Sequence, residues 1–199
     1  PATTYQAMKF PGAPWGLKMA CGENPKRVYG SKGSAPMTRM GNVAGYRAAF
    51  LEAQSYMRSW DKYLATHQPQ NEEGNNGEPE KKKKKHSLFS RKDKDADEDK
   101  EGKDEAPDRD LAKDTLMGVM KGEIRVHIHC YRADEMAIML DLAKEFGFKV
   151  AAFHHGVEAY KIADRLAADG VCGALWADWW GFKMEALDGI EENIAMVDR

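Results

Sequence analysis

Residues 123–153 read EIRVHIHCYRADEMAIMLDLAKEFGFKVAAF and predict a strand, a helix and a second strand in succession. Apolar and polar residues alternate through Glu123–Cys130, as they do in a β-strand. In Ala133–Phe146 the apolar residues recur every three or four positions, which is the period of an α-helix, and Gly147 then fits the C-cap position. Lys149–Phe153 is short and mostly apolar, which predicts the next strand.

Strand–helix units of this kind repeat through the C-terminal half at a spacing of roughly 23 residues, which is typical of a parallel sheet with crossover helices. A helix starting near Leu111 precedes the first unit. Two more helices are predicted at Val157–Ala168 and Met184–Val197, with a strand at Val171–Trp176 between them. The period alone fits both a closed barrel and an open doubly wound sheet. No G-x-G-x-x-G motif follows any strand, so dinucleotide binding has no support.

The first part of the chain, residues 1–66, predicts one more strand and one long helix. Gly16–Cys21 is a short, mostly apolar run that reads as a buried strand, with Lys18 as its single charged residue. Gly22–Gly41 is rich in Gly, Pro, Ser and Lys and is predicted to be a loop. From Asn42 onward the apolar residues return to helical spacing, which predicts the long helix.

Residues 67–110 separate this part from the strand–helix repeats of residues 111–199 and differ from both in composition. Residues 78–110 contain 11 Lys or Arg and 12 Asp or Glu among 33 residues. Such a stretch buries too little apolar surface to offset the entropy lost on ordering, so a charged, disordered insertion is predicted. Lys81–Lys85 also fits a polyanion-binding patch, but a solvated run balanced by the acidic stretch after it fits the sequence better.

Length and composition limit the kinds of protein this chain can be. Its 199 residues, 42% of them hydrophobic, suit a folded core but fall short of the about 250 residues of a complete (β/α)₈ barrel. A net charge of −2 gives no support for nucleic acid as a partner, and no apolar run reaches the roughly 18 residues of a membrane span. Cys21, Cys130 and Cys172 lie in apolar segments and are predicted to be buried thiols. The sequence leaves the oligomeric state and the compartment, cytoplasm or periplasm, open.

Four of the six histidines lie at the carboxyl ends of two adjacent predicted strands. His127 and His129 are two positions apart, so both project from one face of the sheet, and His154 and His155 follow the next strand. Active sites of parallel α/β folds lie at the carboxyl ends of strands, and imidazole is the commonest zinc ligand, so the pattern predicts a metal site. Lys18 lies in the predicted strand Gly16–Cys21 and is costly to bury unless it is paired, neutralised or modified to an acidic ligand.

Four segments together resemble the amidohydrolase superfamily, in particular its imidazolonepropionase-like and prolidase-like members. Val126–Glu135 looks like the fifth-strand motif, and Phe153–Asp164 looks like the sixth-strand histidine and its helix. Asp178–Glu185 is similar to the Asp-Trp-Trp segment after strand seven in one bacterial branch. Leu17–Met19 matches the fourth-strand lysine that becomes N-carboxylated in related members. The resemblance implies an α/β fold, strands four to seven of a partial (β/α)₈ TIM-type barrel, interrupted by the charged insertion.

The resemblance also implies roles for individual residues. Lys18 would be the carboxylated bridge between two metal ions, His127 the fifth-strand ligand and His155 the sixth-strand ligand. His129 would contact the substrate as a catalytic residue or serve as an alternative ligand. His154 would be a neighbour in the substrate pocket.

The implied activity is hydrolysis of a C–N bond of amide, cyclic amide or dipeptide type in a small-molecule substrate. One or two divalent ions, with zinc as the default from the ligand type, would lower the pKa of a bridging water and polarise a carbonyl. Trp179 and Trp180 would line the substrate pocket or pack in its wall. The family's first-strand His-x-His and eighth-strand aspartate are not found in the sequence, so an inactive fragment of a larger enzyme is expected. A non-catalytic metal-binding or interaction module built on a half-barrel is the alternative.

Overall fold

The structure is a computed structural model, and it describes residues 4–67, 105–176 and 178–199. It divides into two compact units, one of residues 1–55 and 109–199 and the other of residues 56–108. Most of the predicted charged insertion, including Lys81–Lys85, lies outside the described residues. Its disorder and the boundaries assigned to it therefore stay predictions.

Within the described residues, four β-strands alternate with helices. The strands are β1 (Trp15–Ala20), β2 (Ile124–His129), β3 (Val150–His155) and β4 (Cys172–Leu175). The α-helices are α1 (Tyr5–Met8), α2 (Glu23–Gly30), α3 (Arg39–His67), α4 (Leu111–Met120), α5 (Ala133–Phe146), α6 (Ala163–Asp169) and α7 (Asn193–Val197). Two short 3₁₀ helices cover Ala159–Ile162 and Met184–Ala186. None of the helices in the described ranges is long and apolar enough to cross a membrane.

The four strands form one parallel sheet in the order β1-β2-β3-β4, so each strand lies beside its neighbour in the sequence. β1 pairs with β2 so that Lys18 is opposite His127 and Ala20 is opposite His129. β2 pairs with β3 so that His129 is opposite His154, after a register shift between the two strands. Parallel strands in sequence order, joined by helices, make this an α/β fold with the arrangement of a partial (β/α)₈ barrel.

One face of the sheet is apolar and packs on the helices. Its central residues, all at most 6% exposed, are Met19, Val126, Ile128 and Phe153. From α3, Phe50 stacks on Phe146 and Phe148, with ring centroids 5.1 and 4.8 Å apart. Burial of a large apolar side chain contributes about 1.5–3 kcal/mol. This layer therefore anchors the sheet and leaves the opposite face for polar side chains.

The ends of the helices follow the local sequence. α5 has the bounds predicted for it and ends at Gly147, which adopts a left-handed φ of 74°. α6 ends in the same way at Gly170, with a φ of 65°. Asp110 caps α4 by accepting hydrogen bonds from the backbone N–H groups of Ala112 and Lys113.

Three predicted segments differ from the structure. Part of the loop predicted for Gly22–Gly41 is helix α2, in which Pro25 lies in the first turn, where no N–H donor is needed. The helix predicted for Val157–Ala168 begins as a 3₁₀ turn and becomes α-helical only in α6. The helix predicted for Met184–Val197 is reduced to a 3₁₀ turn and the short α7, because Gly189 and its polar neighbours interrupt the apolar period.

The prediction of three buried thiols is wrong. Cys21 and Cys130 are buried but form a disulfide, with their Cα atoms 5.2 Å apart, and Cys172 is an exposed free thiol. Cys21 follows β1 and Cys130 follows β2, so parallel pairing brings the two side by side. They are 109 residues apart in the sequence, and spacing alone does not reveal which strand ends become neighbours.

Candidate functional site

The face of the sheet opposite the apolar one carries the polar side chains of the site; we call it the histidine face. Lys18 precedes the buried Met19, and His127 and His129 flank the buried Ile128. Because side chains alternate along a strand, all three project away from the helices. His127 and His129 thus lie on the same face, as their spacing predicts, and Lys18 lies beside His127 in the register.

His155 joins the histidine face through an unusual backbone conformation. β3 extends two residues past its predicted end, through His154 and His155. Successive strand residues normally point to opposite faces, but His155 has a positive φ of 72°. Its ring lies 4.6 Å from that of His129 and 6.1 Å from that of His154, measured between centroids. A non-glycine residue held in this region costs roughly 1–3 kcal/mol, and such strain clusters at functional sites.

The four histidines meet in two pairs. Nδ1 of His127 lies 3.0 Å from Nε2 of His154, and His129 packs edge-on against His155. The ligands predicted from the sequence were His127 and His155, with His154 as a neighbour. In the structure, the direct partner of His127 is His154.

A hydrogen bond fixes the tautomer of His129. Its Nε2 lies 2.9 Å from Nδ2 of Asn24. Lys183 donates to Oδ1 of the same amide at 3.3 Å, which sets the orientation of the amide group. An amide nitrogen only donates, so Nε2 of His129 accepts and its proton is on Nδ1.

Burial keeps three of the histidines neutral. The pKa of His129 is lowered to about 4, first by burial and then by electrostatic interactions with His155 and Lys183. Burial also lowers the pKa of His154, with a further contribution from His127. The pKa of His155 is lowered by burial and by Lys18. Neutral imidazole is the form that binds metal ions, so these side chains are in the ligand form at pH 7.

Lys18 is exposed, so the burial cost expected for it from the sequence does not arise. β1 is an edge strand of the sheet, and Trp15 and Gly16 before it are exposed as well. The side chain of Lys18 therefore meets solvent while its backbone stays in register with His127.

A buried charged cluster, which no sequence pattern predicts, lies beside His129. Glu185 is 1% exposed and accepts a hydrogen bond from the backbone N–H of Glu23 at 2.9 Å. Nζ of Lys183 lies 2.7 Å from Oε1 of Glu185. The same lysine contacts Asn24, so the cluster reaches the ring of His129. Its members come from segments 162 residues apart, and a single sequence carries no signal for such a pairing.

Trp179 and Trp180 border a cavity of about 450 Å³ together with Trp176 and Val157. The ring of Trp176 stacks on that of Trp179 and approaches that of His155, with both centroid distances 4.4 Å. Trp179 and Trp180 are 48% and 69% exposed, which favours a pocket lining over wall packing. A cavity of this size, next to His155, suits a small molecule.

The donor set of the histidine face fits a divalent ion in its chemistry but is not a full coordination shell. Neutral imidazoles are good ligands for zinc and similar ions. Among the described residues, however, only one group of three His, Cys, Asp or Glu side chains brings its ligand atoms within 4.8 Å of one another, and it consists of Cys21, Cys130 and Glu135. The histidines offer pairs of donors, and further ligands are needed to complete a metal centre on their face.

Comparisons with known proteins find similarity to amidohydrolases. No protein-family model matches the sequence. A curated relative, amidohydrolase tasK of Hapsidospora irregularis, is 29% identical over 177 residues, which are 87% of this chain and 15% of that protein. A solved structure, that of an amidohydrolase from Thermotoga maritima MSB8, is similar over 92% of this chain, with a TM-score of 0.67 and 32% sequence identity. The chain covers 38% of that solved chain, so it spans less than half of both relatives.

Proposed function

We propose that this chain, which is similar to amidohydrolases over most of its length, supplies part of the active site of a metal-dependent hydrolase that cleaves C–N bonds. The substrates are small molecules with an amide, cyclic amide or dipeptide bond. The observation that carries the proposal is the convergence of four histidines at the carboxyl ends of β2 and β3, where Nδ1 of His127 and Nε2 of His154 lie 3.0 Å apart.

His127 and His155 are the proposed imidazole ligands, and Lys18 is the proposed third ligand from β1. Lys18 would take this role after its Nζ adds to carbon dioxide and loses a proton, which turns the amine into a carbamate with oxygen donors. When bound, a divalent ion such as zinc lowers the pKa of water and polarises a carbonyl group. His154 is hydrogen-bonded to His127 and so orients that ring or shares in binding.

His129 is proposed to contact the substrate. Asn24 holds its Nε2, so the ring is fixed and the neutral imidazole carries its proton on Nδ1. A neutral imidazole of fixed tautomer donates one hydrogen bond in a defined direction, which suits a substrate carbonyl oxygen. The cavity bordered by Trp179 and Trp180 is proposed to hold the rest of the substrate.

The first test is the metal content of the purified chain in its oxidised form, in which Cys21 and Cys130 are bonded to each other. We expect bound zinc that falls in His127→Ala and in His155→Ala. His67→Ala is the matched control, since it removes an imidazole from α3 and leaves β2 and β3 unchanged. Absence of stoichiometric metal from the unaltered chain would overturn the metal role of these histidines.

One observation favours a second candidate, a non-catalytic metal-binding module. The histidines of the described part of the chain form pairs and not a group of three ligands. Both candidate functions require metal binding, but only the hydrolase turns over a substrate. A longer polypeptide containing this chain that hydrolyses an amide, cyclic amide or dipeptide, with activity lost in His127→Ala, would support the hydrolase. Metal binding by the longer polypeptide without hydrolysis of any of these substrates would support the module.

A further inference from the structure

We propose that Cys21, Cys130 and Glu135 form a second metal site, which opens only when the Cys21–Cys130 disulfide is reduced. The three side chains bring two sulfur atoms and a carboxylate oxygen within 4.8 Å of one another. All three residues are buried, with exposed fractions of 3%, 0% and 7%. They lie on the apolar side of the sheet, so this site is separate from the histidine face.

The backbone holds the two cysteines side by side whatever their oxidation state. The N–H of Cys21 donates to the carbonyl of His129 at 2.8 Å, and the N–H of Cys130 donates to the carbonyl of His154 at 3.1 Å. These bonds continue the parallel ladder one residue past β1 and β2. Reduction of the disulfide therefore leaves two thiols on adjacent strand ends in the interior.

Glu135 gives an independent sign that a ligand is missing. One of its carboxylate oxygens, Oε2, is buried and has no hydrogen-bond partner among the residues that the structure describes. The nearest ion pair, with Nε of Arg39 at 3.5 Å, is made by the other oxygen, Oε1. A buried carboxylate oxygen without a donor is destabilising, and a cation held between Oε2 and the two sulfurs would satisfy it.

Gly22 keeps open the space beside this carboxylate. A Cβ atom on Gly22 would lie 3.3 Å from Oε2 of Glu135 and 2.5 Å from Oε2 of Glu185. The glycine is the residue that directly follows Cys21. The loop after β1 therefore provides both a sulfur ligand and room for the carboxylates next to it.

A cavity of about 370 Å³ leads to the group from the helix side, and Cys21 and Glu135 are among its lining residues. Met40, which is 80% exposed, also lines the cavity and marks its opening to solvent. An ion and a small dithiol thus have a route to the sulfur atoms. A fourth coordination position on the ion would face water in this cavity.

The disulfide and the metal site exclude each other chemically. A dithiol reductant gives two electrons and two protons to the protein disulfide, whose S–S bond breaks as an S–S bond forms in the reductant. Binding of a divalent cation then displaces the two thiol protons, and both thiolates bond to the ion. Two thiolates and a carboxylate are ligands that zinc accepts in a tetrahedral site.

The test uses Co²⁺ as a spectroscopic probe on the full chain, oxidised or reduced, after anaerobic removal of the dithiol. We expect the reduced chain to show sulfur-to-cobalt charge-transfer absorption at one Co²⁺ per chain, and the oxidised chain to show none. Cys21→Ser and Cys130→Ser should abolish the band, whereas Cys172→Ser should keep it. Glu135→Gln, which preserves shape, should weaken Co²⁺ binding about tenfold or more.

His127→Ala and His155→Ala separate this site from the histidine face, since neither should change the sulfur-to-cobalt absorption. Far-UV circular dichroism of each variant confirms that it is folded. A reduced, folded wild-type chain without the band would overturn the proposal and leave the cysteines as a disulfide only. A band that survives Cys21→Ser or is unaffected by Glu135→Gln would equally overturn the assigned ligand set.

Discussion

Nδ1 of His127 and Nε2 of His154 lie 3.0 Å apart, although the register of the sheet places each beside a different residue. Two imidazole nitrogens at this distance share one proton in the metal-free protein. Under the proposed function, the same hydrogen bond would orient the ring of His127 toward a metal ion. The pair therefore couples two strands that the sequence connects only through α5.

The hydrogen bond between His127 and His154 predicts that the effects of removing these two side chains on zinc binding are not additive. We expect His127→Ala and His154→Ala each to weaken zinc binding about tenfold or more. The double variant should be little weaker than either single variant, because the first substitution already removes the shared contact. Competition with a chromophoric chelator measures the three dissociation constants. An unchanged affinity in His154→Ala would instead make His154 a structural neighbour of the site.

Gly22 is predicted to be the least replaceable glycine of the loop after β1. Its φ of 83° and ψ of −147° lie in a region that only glycine adopts readily. A Cβ there would also fall 2.5 Å from the buried Oε2 of Glu185. We expect Gly22→Ala to lower the free energy of unfolding by at least about 2 kcal/mol, measured by urea denaturation.

Gly12→Ala is the matched control for that substitution. Gly12 has a similar φ of 75°, but no atom of the described part of the chain lies within 4 Å of a Cβ built on it. Gly12→Ala should therefore lower the free energy of unfolding only by the cost of a left-handed backbone at a non-glycine residue, about 1–2 kcal/mol. Equal losses of unfolding free energy in Gly22→Ala and Gly12→Ala would show that the close contact with Glu185 does not destabilise the Gly22 variant.

The periodic parts of the fold are the parts that the sequence predicts. The sequence predicts both ends of α5 correctly, because the apolar period and Gly147 are local signals. β2 and β4 were placed within two residues of their ends for the same reason. The loop predicted where α2 lies and the long helix predicted after β4 are both wrong. The effects of Pro25 and Gly189 on a helix depend on the turn in which they lie, and the sequence does not show this.

The histidines of the site were found because they cluster at two strand ends. The sequence does not predict how these histidines pair, because the pairing depends on the register shift between β2 and β3 and on the positive φ of His155. The Cys21–Cys130 disulfide and the contact of Lys183 with Asn24 join residues far apart in the sequence. Contacts of this kind depend on tertiary packing, which spacing alone does not encode.

Tyr46 predicts a loss of stability at high pH. Its hydroxyl accepts a hydrogen bond from the N–H of Ala20 at 3.0 Å and donates to the carbonyl of the same residue. Burial raises the pKa of Tyr46 above its ordinary value near 10. The unfolded chain therefore loses this proton first, and the free energy of unfolding falls as pH rises through about 10.

Tyr46→Phe isolates this effect. Below pH 9 the variant should be less stable than the wild type by about 1 kcal/mol, the value of a buried hydrogen bond. The difference should shrink as pH is raised from about 9 to about 11, because only the wild type has this hydroxyl to ionise. Urea denaturation across that pH range measures the difference in unfolding free energy between the wild type and Tyr46→Phe. A difference that does not change with pH would refute the role of burial in raising the pKa of Tyr46.

Cys172 is predicted to be the only thiol that reacts in the oxidised, folded chain. It is exposed, whereas the other two cysteines are bonded to each other. Mass spectrometry after treatment with a maleimide should therefore show one label per chain, none in Cys172→Ser, and three after reduction and unfolding. Three labels without reduction would show that Cys21 and Cys130 are free thiols.

Asn193 is predicted to hold together the loops that follow β3 and β4. Its side chain is fully buried, accepts from the N–H of Tyr160 at 3.0 Å and donates to the carbonyl of Gly156 at 2.9 Å. A second, longer contact of 3.4 Å reaches the carbonyl of Trp176, beside the tryptophan cavity. Removing the amide leaves these buried groups without partners, so Asn193→Ala should lower the free energy of unfolding by about 2–3 kcal/mol.

Asn193→Asp tests the same point with almost no change in shape. The carboxylate still accepts from Tyr160, but it has no N–H to donate to Gly156, so we expect a loss at least as large as that of Asn193→Ala. Ile194→Ala, at the next position of α7 and 46% exposed, should cost about 1 kcal/mol or less. Because Gly156 directly follows His155, the Asn193 variants should also weaken zinc binding, and Ile194→Ala should not. A stable Asn193→Asp variant with unchanged zinc affinity would show that the two loops are held by other contacts.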